Sequence, residues 1–178
     1  VNGIVHDNGL NAGSNGYGSE IVANGGFDSD LTSWSTGGTD SSNTISQADG
    51  KVVLTADGST ALQLQQTSVF TTGSVYRIEF DAYDITGAGF KIQSGSNENI
   101  GPILSDKHYV FYHTATGTTL NIYRRTGSSA SSGKLDNISV KKLNGFPGIA
   151  SGNTTFNTST PHTQAMSSVA TFDGTGDY

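Results

Sequence analysis

The sequence predicts an all-β protein in which two antiparallel sheets pack face to face and many short turns join the strands. Of the 178 residues, 33% are hydrophobic and 24 are glycine, a composition that suits short strands separated by turns. Apolar and polar residues alternate in eight or nine short segments, as they do in strands with one buried face. No segment of useful length shows the period of an amphipathic helix.

Four short candidate strands occupy the first half of the chain. They are Glu20 to Ala23, Asn43 to Gln47, Lys51 to Ala56 and Ala61 to Val69. The Asp49-Gly50 pair between the second and third is typical of a two-residue hairpin turn. In the fourth, Leu62 and Leu64 alternate with glutamines, which predicts one apolar and one polar face.

Five longer candidate strands follow: Val75 to Tyr83, Gly89 to Gln93, Lys107 to His113, Thr118 to Arg125 and Lys134 to Lys142. Their apolar residues share one parity, so we expect them to form one core. The expected core residues are Tyr76, Ile78, Phe80, Phe90, Ile92, Tyr109, Phe111, Leu120, Ile122, Ile138 and Val140. We also expect Trp34, the single tryptophan, to lie in the core.

Composition divides the chain into three parts. Residues 1–18 are rich in glycine and asparagine and are predicted to be an arm or linker. Residues 19–143 contain the alternating segments, and residues 144–178 form a turn-rich connector with one further strand-like ending. Because the sequence begins at Val1 rather than Met, we expect it to be a processed product or an excerpt of a longer chain.

Charge and composition exclude several function classes. The net charge of −6 argues against nucleic-acid binding, and no apolar run approaches the length needed for membrane insertion. The sequence lacks cysteine and the common hydrolase motifs, so we predict no catalytic activity. Glu79 and Asp81 share a strand face, and we expect them to pair with Arg77, Lys91 or Arg125 across strands.

Two segments carry a resemblance to a known family. EIVANGGFDSDLTSW at residues 20–34 and KLDNISVKK at residues 134–142 resemble the opening and closing strands of jelly-roll carbohydrate-binding modules of families 4, 9 and 22. Copies of this module also occur in phage tail and other virion proteins. The resemblance covers residues 19–143 and implies a galactose-binding-like sandwich without catalytic activity, here with extended N- and C-terminal arms. The ending SVATFDGTGDY resembles the first strand of a laminin-G-like or concanavalin-like domain. Alternatively, it is a terminal strand that pairs with this module or with a neighbouring subunit.

The resemblance also implies one structural calcium ion that ties the first strand to the last. Its ligands would be the carboxylates of Asp28 and Asp136, with a backbone carbonyl from Asn24 or Gly26. The family often has Glu in place of Asp28 and a second acid in place of Asn137, so this set carries less charge. Alternatively, Asp28 caps a turn and Asp136 accepts backbone hydrogen bonds.

Aromatic and planar polar side chains on the outward rows are candidates for sugar binding, because sugars present apolar ring faces and many hydroxyl groups. If their strands are neighbours in one sheet, these residues form one exposed face. They are Tyr83, Tyr112, Tyr123, Arg77, Gln93 and Arg125. The alternative is an ordinary solvated sheet face, since tyrosine is a common strand residue.

Together these features predict a non-catalytic surface module of a larger phage or virion structural protein, which acts in attachment, decoration or adhesion. Its expected partners are other structural subunits and a cell-surface glycan, and its expected location is the virion surface or the extracellular space. One alternative is an accessory carbohydrate-binding module of a secreted polysaccharide-degrading enzyme. Another is a purely architectural domain whose arms hold neighbouring subunits.

Overall fold

A computed structural model describes residues 16–95, 100–125 and 130–144. Ser19–Leu143 forms one compact unit of the chain. The described residues contain strands and turns but no helix, and therefore no helix that is long and apolar enough to cross a membrane. The expected N-terminal arm lies outside the described residues up to residue 15, and the expected connector and lectin-like ending lie outside them from residue 145.

Eleven strands in the described residues form two antiparallel sheets. Sheet A contains β1 (Tyr17–Glu20), β3 (Thr44–Ala48), β4 (Lys51–Ala56), β6 (Val75–Gly87), β9 (Lys107–Thr114) and β11 (Ser131–Leu143). Sheet B contains β2 (Ser35–Gly37), β5 (Gln63–Gln66), β7 (Phe90–Ser94), β8 (Gly101–Ile103) and β10 (Leu120–Arg124). The strand order is β3-β4-β11-β6-β9 in sheet A, where β1 also pairs with β11, and β2-β5-β10-β7-β8 in sheet B. This is the jelly-roll sandwich that the sequence predicts, with β2 and β8 as two additional strands of three residues each.

The core lies between the sheets and has the expected composition. All eleven side chains predicted from parity face inward; ten are buried and Phe111 is partly buried. Phe80, which is fully buried, stacks on Tyr109 with ring centroids 5.1 Å apart. Trp34 is buried as predicted, and its ring lies 5.4 Å from that of Phe27.

The hairpin between β3 and β4 turns at the predicted place. Asp49 and Gly50 have φ angles of 52° and 69°, as a two-residue turn with both central residues in the left-handed region requires. This turn fixes the register in which Ile45 pairs with Leu54, so that the apolar side chains of both strands face the core.

Glu20 joins the first strand of the sandwich to the last. Its Oε1 accepts hydrogen bonds from the backbone N–H groups of Ile21, Val22 and Val140, and its Oε2 accepts one from the Ser139 hydroxyl. A carboxylate that accepts several N–H groups can join two segments without a metal. Glu20 therefore connects β1 to β11 through its own hydrogen bonds.

Candidate functional site

The outer face of sheet B carries six polar side chains on its three central strands, and we call this surface the amide face. Its members are Gln63, Gln65, Lys91, Gln93, Asn121 and Tyr123. Their strand neighbours Leu64, Ile92 and Ile122 are fully buried, so the alternation of each strand turns the polar set outward.

The strand register arranges the amide face in two rows. Tyr123 pairs with Gln63 on one side and with Lys91 on the other. Asn121 pairs in the same way with Gln65 and Gln93. Side chains opposite each other on neighbouring strands lie about 5 Å apart, so each row is a continuous line of contacts.

Hydrogen bonds within the face hold the amides in place. Gln63 Nε2 donates to the side-chain oxygen of Gln65 and, over 3.3 Å, to Asn121 Oδ1. Asn121 is 4% exposed, and its Nδ2 donates to the Gly95 carbonyl over 2.9 Å. An amide group carries both donors and acceptors, and these are the groups that recognise a hydroxyl. The amide face therefore presents preset hydrogen-bonding groups.

An open groove of about 420 Å³ lies at one end of the amide face. Gln65, Asn121 and Tyr123 line it together with Gly95 and residues 116–119. Its volume falls within the range of about 300–1,000 Å³ that is typical of small-molecule sites. The groove is therefore large enough to receive a sugar.

The wall of this groove depends on two glycines and a serine. A Cβ on Gly117 would lie 2.6 Å from the Cα of Gly95, so neither position has room for a side chain. The Ser94 hydroxyl accepts a hydrogen bond from the Thr116 backbone N–H over 3.2 Å and lies 2.7 Å from His113 Nε2. These contacts hold residues 116–119 beside the amide face.

The other end of the face carries positive charge. Lys91 Nζ lies 5.9 Å from the centre of the Tyr123 ring, within cation–π distance. Arg125 follows β10 and shares the parity of Tyr123; its backbone N–H donates to the Gly89 carbonyl and its guanidinium to the Ala88 carbonyl, both over 3.3 Å. The face therefore changes from neutral amides at the groove to cations at the opposite end.

The structure corrects the prediction that all six candidate sugar-binding residues lie on one face. Tyr123 and Gln93 lie on sheet B, with Arg125 just after β10. The other three, Arg77, Tyr83 and Tyr112, lie on sheet A. Alternation reports which side of a strand faces the core but does not report which sheet the strand joins. The single-face prediction is wrong because β6 and β9 pair with each other, whereas β7 and β10 pair in the opposite sheet.

The outer face of sheet A has exposed apolar groups beside its charges. Tyr112 is 60% exposed and pairs with Arg77 across β6 and β9, and Val110 on the same strand is 41% exposed. Tyr83 is 38% exposed, and Lys51 Nζ lies 5.2 Å from its ring centre. This face is therefore a mixed surface and not a row of amides.

Two of the three carboxylates of β6, Glu79 and Asp81, lie on the outer face of the strand and take part in local pairs. Glu79 pairs with Arg77 on its own strand and lies 3.5 Å from His108 Nε2. Asp81 accepts a hydrogen bond from Asn137 over 2.9 Å and contacts His108 Nδ1 at 2.8 Å. The Asn137 bond, followed by the His108 contact, holds the pKa of Asp81 below its ordinary value. Arg77 is a partner as expected, but it pairs with Glu79 along one strand and not across strands. Lys91 lies on the other sheet, and Arg125 follows β10 of that sheet.

Two of the residues predicted to bind calcium, Asn24 and Asp136, have protein partners. The Asn24 carbonyl accepts a hydrogen bond from Trp34 Nε1 over 3.0 Å. Asp136 Oδ1 accepts the Asn137 backbone N–H over 2.7 Å, and its Oδ2 lies 4.0 Å from Lys51 Nζ. Across the described ranges, no three His, Cys, Asp or Glu side chains converge in a way that could hold a metal ion.

Calcium takes six to eight oxygen ligands. Even with both carboxylates bidentate, Asp28, Asp136 and the carbonyls of Asn24 and Gly26 offer at most six oxygens, the lower end of that range. The fit is therefore partial, and calcium binding at these residues stays a prediction.

Sequence reasoning named Gln93 and Tyr123 but did not select their neighbours Gln63, Gln65 and Asn121. The signal was present in the segment LQLQQ, in which glutamines alternate with buried leucines. Alternating amides on a half-buried strand predict an outer face that can form hydrogen bonds. The contribution of Asn121 required the register between β5 and β10.

Comparisons with solved structures find similar folds at low sequence identity. A mutant of CBM29-2, from work on ligand recognition by family 29 carbohydrate binding modules, matches 70% of this chain and 84% of its own, with 14% identity and a TM-score of 0.48. The CBM22-1 xylan-binding domain from Paenibacillus barcinonensis matches 72% and 97%, with 13% identity and a TM-score of 0.46. Tailspike protein 4 of bacteriophage CBA120 matches 70% of this chain and 21% of its own, with 14% identity and a TM-score of 0.44. No curated protein matches the chain.

A family model gives the most specific comparison. The model CBM_4_9, described as a carbohydrate binding domain, matches residues 19–123, which is more than half of the chain. The match runs from the end of β1 to β10 and thus includes all six residues of the amide face. The chain therefore belongs to the CBM_4_9 carbohydrate binding domain family.

Proposed function

We propose that this module binds a glycan on the amide face and thereby attaches the protein that carries it to a glycan-bearing surface. The observation that supports this most directly is the pair of side-chain rows, Gln63–Tyr123–Lys91 and Gln65–Asn121–Gln93, beside the groove. Family membership supports the same ligand class. The face acts by binding alone, without a catalytic step.

The two kinds of side chain on this face have different tasks. The amide of Gln65 exchanges hydrogen bonds with sugar hydroxyls in the groove beside Asn121. Gln63 donates to both Gln65 and Asn121 and so fixes their orientation before the sugar arrives. Tyr123 lies between the groove and Lys91 and offers its ring to the apolar face of a sugar. A preset polar site loses little side-chain entropy on binding.

Two tyrosine variants of the full chain test this proposal. A glycan array with the 178-residue chain first identifies a ligand, and calorimetry then compares Tyr123→Ala with the matched control Tyr112→Ala. Tyr112 is exposed on sheet A and lies outside the proposed site. We expect Tyr123→Ala to weaken binding by at least tenfold, equivalent to about 1.4 kcal/mol, and Tyr112→Ala to change it less than twofold. Equal losses in both variants, or a loss only in Tyr112→Ala, would place the ligand elsewhere.

The setting that we propose is the virion surface or the extracellular space, where a binding module reaches a cell-surface glycan. The module would then belong to a phage or virion structural protein and would act in attachment or adhesion. In the alternative setting, the chain is an accessory module, and the same face holds a secreted polysaccharide-degrading enzyme on its substrate. The full parent sequence distinguishes the two settings, because it contains either a glycosidase domain or virion structural domains.

A second function, in assembly, is favoured by the apolar groups on sheet A. Tyr83, Val110 and Tyr112 are large hydrophobic side chains exposed on its outer face. Such groups mark subunit interfaces when they are contiguous. If a second copy of the chain covers this face, the mass in solution will exceed that of a monomer, and Val110→Lys will restore the monomer mass. A wild-type chain that stays monomeric at high concentration would show that the chain does not self-assemble through this face.

A further inference from the structure

The charges that accompany the amide face have one sign. Lys91 lies within the face, and Arg125 lies two residues after Tyr123 on the same side of the chain. The described face residues include no carboxylate. For a chain with a net charge of −6, a face that carries only cations needs an explanation.

Three cations of sheet A pair with carboxylates, whereas three others on that sheet, Lys107, Lys141 and Lys142, have no carboxylate within 4.0 Å among the described residues. On sheet A, Arg77 pairs with Glu79, Lys134 lies 2.7 Å from Asp84, and Lys51 lies 4.0 Å from Asp136. In the part of the chain that the structure describes, neither Lys91 nor Arg125 has a carboxylate within 4.0 Å. Within the described residues, both cations beside the amide face therefore lack an ion pair with a carboxylate.

The register brings Lys91 and Arg125 close enough to bind one anion together. Lys91 pairs with Tyr123, and the backbone N–H of Arg125 bonds to Gly89, so the two cations are diagonal neighbours on β7 and the end of β10. Diagonal neighbours have Cα atoms about 7–8 Å apart, a separation that long side chains can span. A guanidinium and an ammonium together suit a carboxylate or sulfate group, because charge-assisted hydrogen bonds are roughly twice as strong as neutral ones.

The length of the face connects this cationic end with the groove. Asn121 and Arg125 are four residues apart along an extended strand, which is about 13 Å. A glycan with one sugar in the groove would pass Tyr123 before it reached the cations. The face is therefore long enough for an oligosaccharide that contacts the neutral amides at one end and the two cations at the other.

We infer that the glycan bound here is acidic, a chain that carries uronate, sialate or sulfate groups, with one anionic group held by Lys91 and Arg125. The inference rests on the proposed function, since it assigns a chemical class to the ligand of the amide face. The neutral amides bind hydroxyl groups in the groove, and the cations select for charge at the other end. The face would thus discriminate between glycans that share a backbone and differ only in an acidic substituent.

Matched glycan pairs test this selectivity with the full chain. The probes are polygalacturonate with its fully methyl-esterified form, sialyllactose with lactose, and heparin oligosaccharides with their desulfated forms. We expect at least one acidic member to bind more than tenfold more tightly than its neutral partner, and this binding to weaken as sodium chloride rises, because salt screens the charges. The pair that responds identifies whether the anionic group is a uronate, a sialate or a sulfate.

Charge variants locate the effect. Lys91→Gln should weaken binding of the acidic member about tenfold, Lys91→Arg should retain it, and Lys134→Gln, which removes the same charge from sheet A, should leave it within twofold. If neutral and acidic members bind equally and Lys91→Gln has no effect, the inference is wrong while the proposed function stands. If no glycan, neutral or acidic, binds the folded chain, both the proposed function and the inference fail.

Discussion

Replacing Asn43 by alanine will destabilise the sandwich, because this amide joins the loops on either side of the β3–β4 hairpin. Asn43 is fully buried. Its Oδ1 accepts the Asp57 backbone N–H over 3.1 Å, and its Nδ2 donates to both carboxylate oxygens of Asp40 over 3.0 Å. A weaker contact of 3.3 Å reaches the Ser59 hydroxyl. These loops lead to β2 and β5, so the amide also supports the edge of sheet B.

The cost follows from the bonds that are lost. A neutral hydrogen bond contributes about 0.5–1.5 kcal/mol to stability and a bond to a charged group about 1.5–3 kcal/mol. Asn43→Ala removes one of the first kind, from Asp57, and the bonds to the Asp40 carboxylate. Because Asp40 is exposed and can bind water instead, we expect a total loss of about 2–4 kcal/mol in the free energy of unfolding.

Urea unfolding monitored by fluorescence measures this loss directly. Trp34 is the single tryptophan and is 8% exposed in the folded state, so its emission reports unfolding of the sandwich. Ser46→Ala, on the exposed face of the same hairpin, is the matched control and should stay within about 0.5 kcal/mol of the wild type. An Asn43→Ala variant as stable as this control, with an unchanged denaturant slope, would refute the role assigned to the amide.

Three further outcomes follow from the structure. Phe80→Ala should lower the free energy of unfolding by about 3–5 kcal/mol in the same assay, because the ring is fully buried; a loss below about 1 kcal/mol would mean that the core packing is described wrongly. Asp81 has a pKa below its ordinary value of 3.8 because Asn137 donates to it. Its charged form therefore stabilises the fold above that value, and this stability is lost as the pH falls through the lowered pKa. Asn137→Ala should weaken the dependence of the free energy of unfolding on pH in the acid range. An unchanged dependence would contradict the role given to Asn137 in lowering the pKa of Asp81. If calcium binds at Asp28 and Asp136, a chelator should lower the melting temperature of the chain. A melting curve that does not change with chelator or with added calcium would show that no stabilising calcium ion binds there.

The alternation of the sequence predicted the faces of the strands well. Tyr76, Ile78 and Phe80 face the core as expected, because side chains on a strand alternate whatever the strand pairs with. The Asp49-Gly50 turn was predicted equally well, because few pairs of consecutive residues readily adopt the left-handed conformation at both positions. These features are local, and local rules determine them.

The partners of each strand could not be read in the same way. Tyr112 and Tyr123 both face outward, yet they lie on different sheets because β9 pairs with β6 while β10 pairs with β5 and β7. The amide face depends on the register of Gln63 with Tyr123, and these residues are 60 positions apart in sequence. The full network of Asn43 could not be predicted either, because Asp57 and Ser59 lie in the loop after β4, two strands further along the chain. The candidate site could therefore be assembled only from the structure.

The most direct test of the proposed binding face is to map the bound glycan on the isotope-labelled 178-residue chain by nuclear magnetic resonance. The ligand is the oligosaccharide that binds most tightly on the array. We expect the largest shift changes at the side-chain amides of Gln65 and Asn121, which line the groove, with small changes on sheet A. Changes concentrated at the backbone amides of Val110 and Tyr112 would contradict the account, because they would place the glycan on the opposite sheet.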